Sequence, residues 1–423
     1  MSGYLSFVRE QRRFLAFGVV VALSSSFGQT FFVSLFADEF KATFALSNKG
    51  YGGLYSLATL CSAACLTWAG RKLDTVDLRW FSAGIAVALA IACFGVALAP
   101  HVVVLGVCFL GLRLFGQGLM SHTAMTSMAR YFEARRATAM SVAAMGFALG
   151  EGLLPKLVLA LLVGQWLSWR ELWAVNGVAL LALQLPLVAW LLRGHVDRHT
   201  AFEARTQAQA AGSGQALTRR QWTRGEVLRD PCFYGILPAA LCNGFVLTGV
   251  FFHQIFVIDA KGWSKVYLGT CFVVFAVVRV ATSLVTGPWV DRLGSVRLLP
   301  TFLLPLWVGI AAVGASEHPL ALMALFVGSG VSIGYGANVV GAMWADVYGV
   351  QHLGAIRSLA TAVAVFATSL SPFLMGALFD WGLSVSWVFW ALAGYVGFAI
   401  LLVTLAALAL HRRSQGAPAT LPE

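Results

Sequence analysis

Apolar residues occur along the chain in long runs that are separated by short polar segments. A helix needs about 20 apolar residues to cross a bilayer, and lipid cannot satisfy exposed backbone groups, so these runs predict membrane-spanning helices. A membrane β-barrel would instead show segments of about 10 residues that alternate in polarity, and the chain lacks this pattern. The predicted spans, numbered 1 to 12, are 14–36, 50–69, 80–99, 102–127, 138–163, 168–192, 232–258, 266–289, 298–315, 320–344, 354–378 and 386–410.

Composition agrees with a membrane protein that crosses the bilayer many times. Of the 423 residues, 59% are hydrophobic and only 11% are charged, whereas about a quarter of the residues in a soluble domain are charged. The seven cysteines form no C-x-x-C pair and lie in or beside the apolar runs, so we expect them to be small buried hydrophobic residues.

The net charge of +11 indicates topology. An even number of spans places both termini on one side of the membrane, and most Lys and Arg residues lie in the termini and loops of that side. The opposite loops contain Lys41, Lys49, Arg170, Lys261 and Lys265. Because basic loops stay in the cytoplasm, we predict cytoplasmic termini in a plasma membrane such as the bacterial inner membrane. The basic charge therefore does not predict nucleic-acid binding.

The polar segment 193–231 divides the spans into two sets of six. We therefore predict an N-terminal bundle (1–192), a cytoplasmic linker (193–231), a C-terminal bundle (232–410) and a cytoplasmic tail (411–423).

Matching loops indicate that the two bundles are an internal repeat. GRKLDTVDLR (70–79) follows span 2, and GPWVDRLGSVR (287–297) follows span 8. Each has a glycine, an aspartate four residues later and a basic end. In the same way, MARYFEARRATAM after span 4 matches MWADVYGVQHLGAIRS after span 10.

These loops resemble the signature of the major facilitator superfamily, which reads roughly Gly-x-Leu-x-Asp-Arg-x-Gly-Arg-Arg. The copy after span 8 keeps Gly287, Asp291, Arg292 and Gly294, and the copy after span 2 keeps Gly70, Asp74 and Arg79. LRLFGQG (112–118) is similar to the family's Arg/Gln-Gly motif in span 4, but its spacing is one residue wider.

The resemblance implies an all-α membrane fold with 12 transmembrane helices in two pseudo-symmetric six-helix bundles. Such proteins move a solute past a central site by alternating access. The resemblance also implies that the first, second, fourth and fifth helices of each half line the central transport cavity. We predict a cytoplasmic latch formed by Gly70, Asp74, Arg79, Gly287, Asp291, Arg292 and Asp346.

Ionisable residues inside spans are costly in lipid and are therefore candidates for function. Away from the span ends they are Arg113, His122, Glu151, Lys156, His253 and Arg279. A rise of about 1.5 Å per residue places Arg113, Glu151 and Arg279 near the membrane midplane.

Arg113 and Glu151 lie at similar depth on consecutive spans, which leaves two interpretations. The two residues form a fixed ion pair that relieves the desolvation of both, or Glu151 exchanges a proton during transport. His253 is a second candidate for proton coupling, with a histidine satisfied at a helix end as the alternative.

Surplus arginine near the midplane predicts an anionic substrate, because guanidinium binds a carboxylate through two hydrogen bonds. The arrangement is similar to the monocarboxylate and oxalate–formate branches of the superfamily, which use an arginine in span 8. Arg279 lies about one turn deeper than in those branches, and a structural role is its alternative. The predicted substrate-binding residues are Arg113, Arg279, Gln29, Asn243, Tyr335 and Asn338.

The sequence therefore predicts a monomeric secondary transporter that couples a small organic anion to protons, with no cofactor and no bound metal. One alternative is an efflux antiporter for drug-like compounds. Another is a copper importer that uses Met120, His122, Met125 and Met128, for which packing of the methionines is the competing interpretation. No nucleophile–base pair, metal-ligand spacing or nucleotide loop supports an enzyme or an ATP-driven pump.

Overall fold

The computed structural model describes residues 7–74, 76–132, 135–200, 222–349 and 353–416, and these residues form helices and no β-strand. We label the long helical elements α1 to α12 in chain order. They are Arg12–Gly28 with Thr30–Phe44, Asn48–Ala69, Leu78–Leu98, Val102–Tyr131, Arg136–Val163, Trp169–Leu191, Pro231–Phe252 with Gln254–Ala260, Lys265–Leu293, Leu304–Ala315, Leu320–Tyr348, Leu353–Asp380 and Val385–Gly416.

Each predicted span falls on one of these elements, which confirms the all-α membrane fold. Among the described residues, nine helices are long and apolar enough to cross a membrane, or ten if the bent α1 is one span. The helix α9 is too short to meet this length. It begins only at Leu304, because residues 299–303 form a turn and Pro305 lies in the first turn of the helix. The helix α2 begins with the polar and glycine-rich segment NKGYGG. Twelve spans are consistent with these helices.

The chain divides into two compact units, residues 1–216 and 217–423, and the boundary lies inside the predicted linker. The same helix pairs pack within each unit. In the N-terminal unit α1 packs with α5, α2 with α4, and α3 with α6. In the C-terminal unit the corresponding pairs are α7 with α11, α8 with α10, and α9 with α12. This shared packing is the structural form of the internal repeat.

Both described ends of the predicted linker pack on the neighbouring unit. In the N-terminal unit, the ring of His195 stacks on Phe14 with centroids 5.9 Å apart, and the guanidinium of Arg198 lies 4.3 Å from the same ring centroid. In the C-terminal unit, the Trp222 amide donates a hydrogen bond of 3.1 Å to the Tyr348 carbonyl. Residues 201–221 of the predicted linker lie outside the described residues.

Two pairs of glycines allow helices to approach closely inside the units. Gly146 and Gly150 of α5 face α1, and Gly330 and Gly334 of α10 face α8. A Cβ atom on any of the four would lie within 3.0 Å of an atom of the neighbouring helix. Small residues spaced by four are a common way to bring membrane helices together, and this spacing explains much of the glycine content of α5 and α10.

Candidate functional site

The first helix of the N-terminal unit is broken at Gln29. Ser25–Gly28 form a 3₁₀ turn, Gln29 is extended with φ −78° and ψ 150°, and the helix resumes at Thr30 after a bend of 47°. Broken helices leave backbone groups available in the membrane and often form transporter binding sites. The half-buried Gln29, a predicted substrate-binding residue, therefore lies at the break itself.

A π-helical stretch of α4, Leu112–Met120, packs against this break. Gly28 and Gly116 approach so closely that a Cβ atom on either would lie within 3.0 Å of the other's backbone. A π-helical turn contains about one residue more than an α-helical turn. The stretch therefore accommodates the wider spacing between Arg113 and the Gln117-Gly118 pair.

Arg113 is buried, with 7% of its surface exposed, and its guanidinium faces the α1 break. Its Nη1 atom lies 3.5 Å from the Gly28 carbonyl oxygen and 3.4 Å from the Thr30 hydroxyl oxygen. The guanidinium carbon lies 5.0 Å from the centroid of the Tyr55 ring. The Tyr55 hydroxyl in turn donates a hydrogen bond of 2.9 Å to Thr30, so α1, α2 and α4 converge on one cation.

This cation retains hydrogen-bonding capacity. A guanidinium group has five N–H donors, and both hydrogen bonds of Arg113 are longer than usual. Among the described residues no carboxylate pairs with Arg113, so the fixed ion pair with Glu151 that was one interpretation of the sequence is not formed here. The site can therefore accept an anion without first breaking an ion pair.

Glu151 lies half-buried on α5, next to the glycine that packs most closely against α1. A Cβ atom on Gly150 would overlap the hydroxyl of Ser26, which would have to move away. Close packing of α5 on α1 thus fixes the backbone beside Glu151. Lys156, further along α5, is exposed.

In the C-terminal unit, Arg279 lies where α8 packs on α10. Gly330 and Gly334 contact the α8 backbone next to Arg279, whose side chain is half-buried. The glycine-rich stretch 328–338 is therefore a packing surface for helices. Its position fixes the backbone that carries the predicted substrate-binding arginine.

Three other predicted substrate-binding residues connect helices in this structure. Asn243 donates to the Ser332 carbonyl at 3.2 Å, and the Ser332 hydroxyl donates back to Asn243 Oδ1 at 2.9 Å. Asn338 Nδ2 donates to the Ser283 carbonyl at 2.7 Å, and the Tyr335 hydroxyl lies 2.9 Å from Thr301 Oγ1. The sequence allowed these side chains either to bind substrate or to contact another part of the fold. In this structure they make contacts within the fold.

His253 lies at the junction of the two segments of α7 and is 2% exposed. Its Nε2 atom lies 2.8 Å from the Pro372 carbonyl oxygen, so this nitrogen carries the proton of the hydrogen bond. The ring also packs edge-on against Phe252 and Phe379. These contacts correspond to the satisfied-histidine alternative, because the imidazole joins α7 to α11.

The predicted latch loop of the N-terminal unit begins with a 3₁₀ turn, Gly70–Asp74, and the side chain of Asp74 lies outside the described part of the chain. After it, Asp77 caps α3 and binds the Arg79 guanidinium with N–O distances of 2.9 to 3.3 Å. The side-chain hydrogen bonds from Arg79 lower the pKa of Asp77. Arg79 therefore orders the end of this loop.

In the C-terminal unit, Gly287 lies near the end of α8, and Asp291 and Arg292 are exposed beside it. Asp346, at the end of α10, accepts a hydrogen bond of 2.5 Å from Ser295, just after α8. This contact joins a predicted latch residue to the loop that follows α8.

The N-terminal unit has an equivalent contact made by different chemistry. Arg130, at the end of α4, donates a hydrogen bond of 3.0 Å to the Leu73 carbonyl in the loop after α2. In both units the end of the fourth helix therefore holds the loop after the second.

Two of the three methionines proposed for a copper site, Met120 and Met128, are engaged in packing. Met128 is fully buried and lies against Gly18 of α1, and the Sδ atom of Met120 accepts a hydrogen bond of 3.4 Å from Gln184. Within the described residues no group of three or more His, Cys, Asp and Glu side chains could hold a metal ion.

Thr30 and Tyr55 lie beside Arg113 but were not predicted from the sequence as site residues. Thr30 directly follows Gln29 in the polar segment SSSFGQT of span 1, which was an available signal. Tyr55 lies among apolar and small residues of α2, and only the fold brings its ring under Arg113.

Comparison with known proteins supports the same fold. A family model described as Major Facilitator Superfamily matches residues 15–278 and 241–423. No curated protein sequence matches the chain.

Two similar solved structures are of a bacterial homologue of the human lysosomal transporter Spinster. Its inward-facing unoccupied form has a TM-score of 0.66 and 14% identity, with 97% of this chain and 99% of that chain covered. The inward-facing occupied form has a TM-score of 0.59 and 15% identity, with coverages of 98% and 97%. At this identity the likeness shows the fold alone. Because the family model matches both units over nearly their whole length, the chain is a membrane transporter that belongs to the major facilitator superfamily.

Proposed function

We propose that this protein is a proton-coupled secondary transporter of a small organic anion. The observation that carries the proposal is the buried guanidinium of Arg113 at the α1 break, which has no carboxylate partner among the described residues. A buried charge is costly unless another group compensates it, and a carboxylate can accept two hydrogen bonds from one guanidinium group. An anion bound here would supply the missing compensation.

Three residues around Arg113 support a carboxylate as the bound group. Tyr55 and Thr30 hold the guanidinium in place through a ring contact and a hydroxyl. Gln29, at the break, brings an amide that can donate to a carboxylate oxygen. Arg279 is the cation of the C-terminal unit that we propose for anion binding.

Glu151 is the residue that we propose for proton coupling. Its carboxyl group can carry a proton, and it lies half-buried on α5, the helix that packs on the broken α1. We propose that anion binding at Arg113 on α4 and proton binding at Glu151 on α5 are coupled within the N-terminal unit. His253 stays a second candidate, although its hydrogen bond to Pro372 supports a packing role.

Transport by the purified protein in liposomes tests the substrate. We expect an inward proton gradient to drive accumulation of a radiolabelled monocarboxylate such as lactate. Arg113→Gln should reduce the uptake rate by about 10- to 100-fold, because a charge-assisted hydrogen bond contributes about 1.5–3 kcal/mol. Arg113→Lys should be intermediate, since it keeps the charge and loses the planar pair of donors. Arg279→Gln and Arg279→Lys should follow the same order.

Arg12→Gln, an exposed cation at the start of α1, is the matched control and should transport normally. Wild-type uptake by Arg113→Gln would contradict an anion site at this residue. If the protein instead exchanged a cationic dye for protons and did not transport lactate, the result would support the alternative function as an efflux antiporter.

Coupling is tested separately with Glu151→Gln. We expect this variant to exchange labelled for unlabelled anion across the membrane and to fail to accumulate anion against a gradient. Accumulation at the wild-type level would exclude Glu151 as the coupling residue.

A further inference from the structure

A cavity of about 940 Å³ opens at the predicted cytoplasmic end of the C-terminal unit. Its walls are the end of α8 with the short helix Ser295–Leu298, the end of α10, and the last turns of α12. Gly294 and Gly349 lie at its rim with φ angles of +81° and +83°, which side-chain-bearing residues rarely adopt. These glycines let α8 and α10 end abruptly and leave the space between them and α12.

Two arginines and a histidine line this cavity. Arg297 is exposed on the Ser295–Leu298 helix, and His411 and Arg413 extend from the last turns of α12. Arg413 pairs with Asp230 at 2.9 Å, and 46% of its side chain stays exposed. Asp346 is the acidic residue of the lining, and the Ser295 hydroxyl engages its Oδ2 atom. The lining thus presents the guanidinium of Arg297, the guanidinium of Arg413 that Asp230 already pairs, and an imidazole against the Asp346 carboxylate.

Other residues of the lining are apolar, and an apolar face continues from them along α12. Leu293, Val296 and Leu408 line the cavity. Leu401, Leu405 and Leu408 recur on one face of α12, each a little more than half exposed. An exposed leucine face on a helix of a membrane protein is a surface for lipid chains. The cavity therefore joins a basic site at the membrane surface to an apolar track that runs into the membrane.

We propose that this cavity binds one anionic phospholipid of the cytoplasmic leaflet. The phosphate would lie between Arg297 and Arg413, and an acyl chain would follow the Leu408–Leu405–Leu401 face of α12. Guanidinium groups bind phosphate oxygens through paired hydrogen bonds, and basic pockets at the cytoplasmic ends of helices suit lipid headgroups. The combination of cations and a continuing apolar face distinguishes this ligand from a water-soluble phosphate. The proposal does not depend on the transported substrate.

Native mass spectrometry of the full-length protein in detergent tests the proposal, with phosphatidylglycerol as the probe. We expect one phosphatidylglycerol to be retained in preference to phosphatidylcholine, and soluble glycerol 3-phosphate not to displace it at equal concentration. Arg297→Gln should weaken retention roughly fivefold, because one cation near an anionic lipid contributes about 1 kcal/mol. Arg297→Lys should retain most of the binding, and Leu408→Gln should weaken it through the apolar track.

Arg412→Gln is the matched control, because Arg412 is the exposed neighbour of two lining residues and does not line the cavity itself. Equal retention by Arg297→Gln and Arg412→Gln would overturn the assignment of the headgroup. Equal retention of phosphatidylcholine would show apolar adsorption without charge recognition, and displacement by glycerol 3-phosphate would show a soluble phosphate site. A thermal melt of each variant confirms that it is folded, and Arg297 is suited to this test because it is exposed.

Discussion

At the scale of single residues, His195 illustrates how burial fixes a protonation state. Its imidazole is 4% exposed and packs against the rings of Phe14, Tyr131 and His199. Within the described chain its Nδ1 atom has no hydrogen-bond partner. Burial lowers the pKa of His195 to about 4, and the Asp77 carboxylate, which acts in the opposite direction, does not reverse this effect. The nearby charges of His199, Arg198 and Arg79 lower the pKa further. The folded N-terminal unit therefore holds a neutral imidazole.

This protonation state predicts a loss of stability in acid. The unfolded chain takes up a proton near pH 6.5, the ordinary pKa, and the folded chain does not until about pH 4. The unfolded state binds more protons between these values, so stability is full above pH 6.5 and falls as the pH decreases toward 4. At about pH 5 the loss from this group is about 2 kcal/mol.

Melting temperatures in detergent between about pH 7.5 and about pH 5 measure this effect. His195→Phe keeps the aromatic packing and should flatten the pH dependence. His101→Phe changes an exposed histidine of the same unit and should leave the wild-type slope. A slope that is unchanged in His195→Phe would assign the acid sensitivity to other groups.

At the scale of helices, α8 and α10 depend on glycine where they touch. A Cβ atom on Gly334 would lie within 3.0 Å of the Arg279 carbonyl oxygen and of the Ser283 amide, which are backbone atoms that no rotamer change can move. We therefore expect Gly334→Ala to destabilise the C-terminal unit by about 1–3 kcal/mol, the usual range for overpacking. The same change should also lower transport, because it displaces the backbone of Arg279.

Gly394 of α12 provides the control for this prediction. A Cβ atom there would meet no atom within 4 Å. Gly394→Ala should therefore leave stability equal or raise it by up to about 1 kcal/mol, through the better helix propensity of alanine. Thermal unfolding of both variants decides the matter, and equal melting temperatures would show that α8 and α10 separate without cost.

The helices and their order could be read from the sequence, and the distortions within them could not. Long apolar runs have one stable form in lipid, so the spans followed from hydropathy alone. The break at Gln29 and the π-helical stretch around Arg113 depend on how α1 and α4 pack, because the surrounding residues would also fit a straight helix. The wider spacing between Arg113 and Gln117-Gly118 is visible in the sequence, but only the structure shows that a π-helical stretch accommodates it. For the same reason the sequence predicted Arg113 as a site residue and missed Thr30 and Tyr55.

At the scale of the whole molecule, the distribution of charge and aromatic residues fits one orientation in the membrane. Most basic residues lie at the ends of helices that share a side with both termini. Tryptophan favours membrane interfaces, and exposed tryptophans lie near helix ends: Trp68 and Trp80 at ends predicted to be on the basic side, and Trp166 and Trp387 at ends predicted to be on the other side. We therefore propose that residues near 49 face the outside and residues near 412 face the cytoplasm.

Single-cysteine labelling in intact cells tests this orientation. Cys61 and Cys65 are exposed, so the expectation that all seven cysteines are buried is wrong for these two, and the other five are buried. The background variant therefore replaces Cys61 and Cys65 with alanine. In that background Lys49→Cys should react with a membrane-impermeant maleimide in intact cells. Arg412→Cys should react only after the membrane is permeabilised, because basic segments are retained in the cytoplasm. The reverse pattern would invert the topology, and it would place the cavity near Arg297 in the outer leaflet.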